Sequence, residues 1–170
     1  MSTFRVLSLL CILGAVATFA LGASEAQSKP SKPPAMSDPL TSQELYNLYS
    51  NRSWIWKAGA GYFANRQREF KSWTADGGGS YGLGRWFITD PGKLCFRAVW
   101  YAKSGNAPAL TCFSHRKKGN AVFQKREPDG DWYQFKTTPA RADDEYRKIR
   151  SGDYVTARMN RMKTRISRGN

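Results

Sequence analysis

Leu94 to Arg116 reads LCFRAVWYAKSGNAPALTCFSHR, and this stretch decides the fold class. Two runs rich in aromatic and β-branched residues, Leu94 to Tyr101 and Ala109 to Arg116, flank a polar Ser-Gly-Asn segment, the pattern of an antiparallel hairpin. Setting Cys95 against Cys112 places Arg97 opposite Leu110 and makes the chain reverse around Ala102 to Gly105. In that register the two cysteines can bridge the strands, and a closed loop of about 15 residues is worth on the order of 3 kcal/mol. Redox-active pairs sit closer in sequence, as in Cys-x-x-Cys, so the bridge is expected to be structural.

The same period of two continues outward from the hairpin. Upstream, Ser53 to Lys57, Tyr62 to Asn65, Glu69 to Thr74 and Tyr81 to Thr89 read as strands. They are separated by Ala58 to Gly61, by Asp76-Gly77-Gly78-Gly79 and, after the last, by Pro91-Gly92. Gly82 and Gly84 inside the fourth run mark a bulge or a close backbone approach. Downstream, Ala121 to Lys125 and Trp132 to Thr137 follow tight turns. There is no room for crossover helices, so the chain is mainly β, an antiparallel meander curled into a small barrel or half-barrel. One short helix precedes it. Thr41 and Glu44 have capping-box spacing, Leu40 and Leu45 form the staple, and Leu45, Leu48 and Tyr49 share a face.

The two termini differ from this core. Arg5 is followed by an apolar run from Val6 to Gly22 and then by small residues, the plan of a secretory signal peptide cut after Gly22 or Ala26. A retained membrane anchor is the competing reading of that run. With residues 1–26 removed the charge remains +14, Cys11 is lost, and two cysteines remain for one bridge in an oxidising compartment. Residues 27–39 are a Pro/Ser/Lys-rich linker, the β-domain covers 40–138, and 139–170 forms a basic segment. Helices are expected there over Ala140 to Arg150 and Tyr154 to Ile166. The address implied is the periplasm or the exterior, with no transmembrane span after cleavage.

Catalytic chemistry is thinly represented. Glu69 and Glu127 are candidate strand-end carboxylates for a glycan-acting enzyme, but no spacing singles them out as a pair. His115, the only histidine, lies among Ser114, Arg116, Lys117 and Lys118 and reads as solvated. A zinc site is therefore nearly excluded, and no cofactor is implied. The glycine runs precede no helix that would make them a phosphate cradle. Charge is the stronger signal. Arg66 and Arg68, then Arg116, Lys117, Lys118, Lys125 and Arg126, then the tail, give a cation that associates with anionic polymers or lipid surfaces. Acidic polysaccharide and lipopolysaccharide phosphates are the expected partners, and a periplasmic protein is the alternative. Nucleic acid would bind without sequence preference.

Three blocks carry a resemblance: LYSNRSWIWKAGAGYF from Leu48, REFKSW from Arg68, and GRWFITDPGKLCFRAVW from Gly84. From about Leu40 to Phe135 the chain resembles the bacterial domain-of-unknown-function family numbered 995, and SGDYV at Ser151 is similar to the Gly-Asp turn near that family's end. The resemblance implies a small exported β-protein of Gram-negative bacteria and supplies no catalytic residues. Gly84-x-Trp86 followed by a Cys-bearing strand is also loosely similar to periplasmic lipocalin-like barrels, including protease inhibitors.

Overall fold

The computed structural model describes residues 38–168; the expected signal peptide and nearly all of the expected linker lie outside them. The chain runs β1 (Asp38–Pro39), α1 (Ser42–Tyr49), β2 (Arg52–Trp56), β3 (Gly59–Phe63), β4 (Glu69–Thr74), β5 (Ser80–Thr89), β6 (Lys93–Ala102), β7 (Gly105–Lys118), β8 (Ala121–Arg126), β9 (Tyr133–Thr137), β10 (Ile149–Ser151) and α2 (Thr156–Ser167). Strands β2 to β9 pair in sequence order, all antiparallel, and β10 joins the free edge of β2. The result is an antiparallel sheet curled into a half-barrel. Among the described residues β9 and β10 do not pair. A 3-10 turn at Glu145–Lys148 occupies the seam, with the Tyr146 ring edge-on to Phe135 at 5.6 Å.

Alternation builds two cores, one on each side of the sheet. The concave side holds Trp54, Phe63, Phe70, Trp86, Leu94 and Phe135, together with Leu45, Leu48 and Tyr49 from α1. The convex side holds Ala60 and Tyr81 under α2, which contributes Met159, Met162 and Ile166, with Val155 just ahead of it. Helix α1 starts where its capping box requires. The Glu44 N–H donates to the Thr41 hydroxyl at 3.2 Å, and the Thr41 N–H donates to the Glu44 carboxylate at 2.8 Å. The Thr41 N–H, Lys117 and the Thr41 hydroxyl all donate to that carboxylate and hold it down at about 2.

The hairpin has the expected register. Cys95 faces Cys112, Arg97 faces Leu110, and the disulfide is formed. A Cα separation of 4.1 Å is the short spacing of a non-hydrogen-bonded pair. The Cys112 carbonyl therefore turns away from β6 and accepts from the Glu127 N–H at 2.9 Å. Four residues back, Pro108 has the same phase. Its missing N–H falls on the stretch of β7 that β8 does not cover, so no ladder bond is lost there.

Three expectations need correction. Ala58 to Gly61 is not a turn: the chain turns at Lys57 and Ala58, and Gly59 opens β3. A Cβ at Gly59 would come within 2.7 Å of the Trp56 ring, and one at Gly61 within 2.9 Å of Phe70, so the glycines are seats for rings. Ala140 to Arg150 is not a helix. Asp144, buried, accepts from the Thr137 and Arg141 N–H groups at 2.9 and 3.0 Å and from the Thr137 hydroxyl, tying a turn to the end of β9. Burial pushes that carboxyl up, but the hydrogen bonds outweigh it and its pKa falls below the usual carboxylate value. The chain then passes through the 3-10 turn into β10. Asp38–Pro39, placed in the linker, pairs with Arg116 and Lys117 as β1. At Gly84, the close-approach alternative holds: a Cβ would meet the Arg97 carbonyl and the Ala98 Cα, and β5 pairs with β6 without a register shift.

Candidate functional site

The expected basic residues do not converge on one spot. Arg66 and Arg68 sit in the connection between β3 and β4. The Arg68 guanidinium lies 4.3 Å from the Trp86 ring centre and 4.6 Å from that of Tyr46, beside a groove next to α1. Lys117 reaches the Glu44 carboxylate at 3.0 Å and so ties β7 to α1. Lys125 pairs with Glu127 at 3.5 Å, and Arg116 lies over the Trp132 ring. Lys118 is exposed at the end of β7. Arg126 alone of this group lines a cavity on the concave side.

A wider pattern joins them. From Pro91 to Arg126 the chain has no carboxylate side chain and carries eight lysines and arginines, two of which, Lys117 and Arg126, face the concave side. These residues form three neighbouring strands, β6 to β8. Helix α2, packed across the outer face of the same sheet, likewise contains no acid and carries Arg158, Arg161, Lys163 and Arg165. Between these cations the outer face exposes Pro108 and Leu110 and half-exposes Val99. On that face Lys125 of β8 pairs with Glu127 at 3.5 Å.

His115 departs from its sequence reading. It is buried, not solvated, because β7 alternation turns it inward while Ser114 and Arg116 turn outward. Its Nε2 lies 2.7 Å from the Tyr49 hydroxyl and 2.8 Å from Gln124 Nε2, beneath α1. Gln124 also donates to the Tyr49 hydroxyl at 2.7 Å and accepts from Tyr133. Burial pushes the imidazole down to about 3, so it is neutral at physiological pH. Burial likewise pushes the Tyr49 hydroxyl up. Through Tyr49 these bonds tie α1 to the sheet.

Sequence reasoning missed the cavity. It occupies about 320 Å³ on the concave side, at the end of the half-barrel away from α1. Its walls are Trp54 and Trp56 from β2, Phe70 from β4, Phe96 and Trp100 from β6, and Phe113 from β7. Phe70 and Phe96 stack with centres 4.2 Å apart, and Trp54 leans on Phe113 at 5.0 Å. Arg126 and Glu145 are its charged members. The signal was the period-two aromatics, which looked like ordinary core.

The residues behind the resemblance now have structural work. Ser53 Oγ donates to the Gly152 carbonyl at 2.8 Å and accepts from the Tyr154 N–H at 3.0 Å, while the Gly152 N–H donates to Asn51. The NRSW and SGDYV segments are thus one joint. The Trp86 indole donates to the Ala64 carbonyl at 2.7 Å, locking the GRW segment beneath α1. A family model described as "Protein of unknown function (DUF995)" matches residues 16–155. The chain belongs to this family. Neither a curated protein nor a solved structure matches this DUF995 member. No helix among its described residues is long and apolar enough to cross a membrane.

Proposed function

We propose that this DUF995 member is an exported, non-enzymatic envelope protein whose basic outer face holds an anionic polymer or lipid surface. The observation that carries this reading is the acid-free run from Pro91 to Arg126 laid out as adjacent strands, with the acid-free α2 on the same sheet. Like charges gathered in an acid-free run repel one another, and an external polyanion relieves that cost. The surrounding Leu110 and Pro108 suit the hydrocarbon parts of such a partner. Export is inferred from the apolar run Val6 to Gly22 and is compatible with the Cys95–Cys112 bridge. The half-barrel closed at one end by α1 supports a lipocalin-like scaffold as the finer description of the fold.

The enzyme alternative finds less support. Glu69 pairs with Lys71 at 3.6 Å and Glu127 with Lys125 at 3.5 Å. They belong to β4 and to the end of β8, with three strands between them, whereas glycosidase carboxylates face one another across a single bond.

The test is retention on immobilised lipopolysaccharide and on dextran sulfate across a salt series. Binding should weaken steeply between about 50 and 200 mM salt, since exposed charges are screened over roughly a Debye length of 10 Å. A variant combining Arg97→Glu, Lys118→Glu and Arg161→Glu should lose at least about tenfold in affinity at low salt. Retention that ignores both salt and these substitutions would refute the reading.

A further inference from the structure

We propose that the cavity at the open end of the half-barrel is a binding site for a small planar ring that bears an anionic group. This does not rest on the polyanion reading, because its residues lie on the opposite side of the sheet.

The shape argues for a ring. Trp100 lies over Gly82, where a Cβ would come within 3.1 Å of the atoms at the indole's ring fusion, and Trp56 lies over Gly59 at 2.7 Å. Glycine floors allow both indoles to lie flat on the sheet, so their other faces border the cavity. Trp54, Phe96 and Phe113 close the sides. The space of about 320 Å³ falls at the small end of ligand pockets and suits a one- or two-ring molecule stacked between aromatic faces. An ordinary core would have filled it with side chains, as the α1 end of the same sheet is filled.

The charged groups choose the head. Glu145 is already engaged: it accepts from the Trp54 indole N–H at 3.1 Å and from Lys148 at 2.6 Å. Arg126 has no hydrogen bond or ion pair to its guanidinium among the described residues, and it is exposed where it borders the cavity. A planar guanidinium with free donors matches a carboxylate, sulfonate or phosphate in a bidentate geometry. The aromatic walls would equally suit a quaternary ammonium if the carboxylate were free, but Lys148 neutralises it.

Three probes with one ring separate these possibilities: 2-naphthoate, 2-naphthylmethanol and (2-naphthylmethyl)trimethylammonium, each titrated into the full chain by calorimetry. The expected order is naphthoate tightest, the neutral alcohol about tenfold weaker, and the ammonium weakest. Arg126→Gln, at an exposed position, should bring naphthoate down to the level of the alcohol. Trp56→Ala should weaken both naphthoate and alcohol about tenfold. The variant carrying Arg97→Glu, Lys118→Glu and Arg161→Glu should bind naphthoate as wild type does, which separates the cavity from the outer charge. No naphthoate binding, preference for the ammonium, or naphthoate binding that survives Arg126→Gln would each overturn the proposal.

Discussion

The two ends of the half-barrel are made from the same strands and the same alternation, yet one is filled and the other is vacant. At the filled end, α1 inserts Leu45, Leu48 and Tyr49 among Phe63, Trp86 and Leu94, and the rings meet at 5 to 6 Å. At the vacant end, Trp56 and Trp100 lie back on glycines and leave a cavity. The sheet does not distinguish the ends; helix α1 does. One end is built for stability and the other is left free to bind.

Truncating a ring at each end gives the largest measurable contrast. Phe63→Ala at the filled end removes a fully buried ring and should cost about 3–5 kcal/mol in urea unfolding. Trp56→Ala at the vacant end removes a larger but half-exposed ring, and should cost about 1 kcal/mol. Equal losses would mean that both ends are packed alike and would break the comparison.

A buried imidazole under α1 makes the filled end sensitive to acid. Folded, His115 takes a proton only near pH 3, whereas the unfolded chain takes one near 6.5. Between those values the unfolded state binds more protons, so stability falls as pH drops below about 6.5 and is unaffected by this group above it. The slope approaches about 1.4 kcal/mol per pH unit. Between pH 5 and 6.5 few carboxylates titrate, so urea midpoints in that window isolate the histidine. His115→Gln, which still offers the Tyr49 hydroxyl an acceptor, should flatten the slope. A slope unchanged by the substitution would place the acid sensitivity elsewhere.

The sequence revealed the filled end and the hairpin far better than the vacant end. Local rules govern the first two. Capping-box spacing fixes Thr41 and Glu44, and period-two alternation with facing cysteines fixes the β6–β7 register. His115 misled because its neighbours in sequence are cations. In a strand those neighbours point the other way, and a one-residue phase decides solvent or core. Ala140 to Arg150 misled because its alanines and charged residues favour a helix, while the joint at β2 and the unpaired seam needed an extended edge and a turn; tertiary context overrode propensity. The cavity was illegible for a different reason. Trp56 and Trp100 obey the same pattern as Trp54 and Trp86, and only the reach of an eight-residue helix determines which of them are covered.

That dependence on α1 can be tested with the smallest effect of the series. Thr41→Ala removes the side-chain acceptor at the helix start and one of the bonds that lowers the Glu44 pKa. It should cost about 1 kcal/mol. The Glu44 contribution is present above its unfolded value of 4.5 and is lost as pH falls toward about 2, so the cost should shrink in strong acid. The helix caps only the filled end, so the variant should titrate with 2-naphthoate as wild type does. If fraying the helix start weakened naphthoate as well, the two ends would be coupled through the sheet, and the division between a structural end and a binding end would fail.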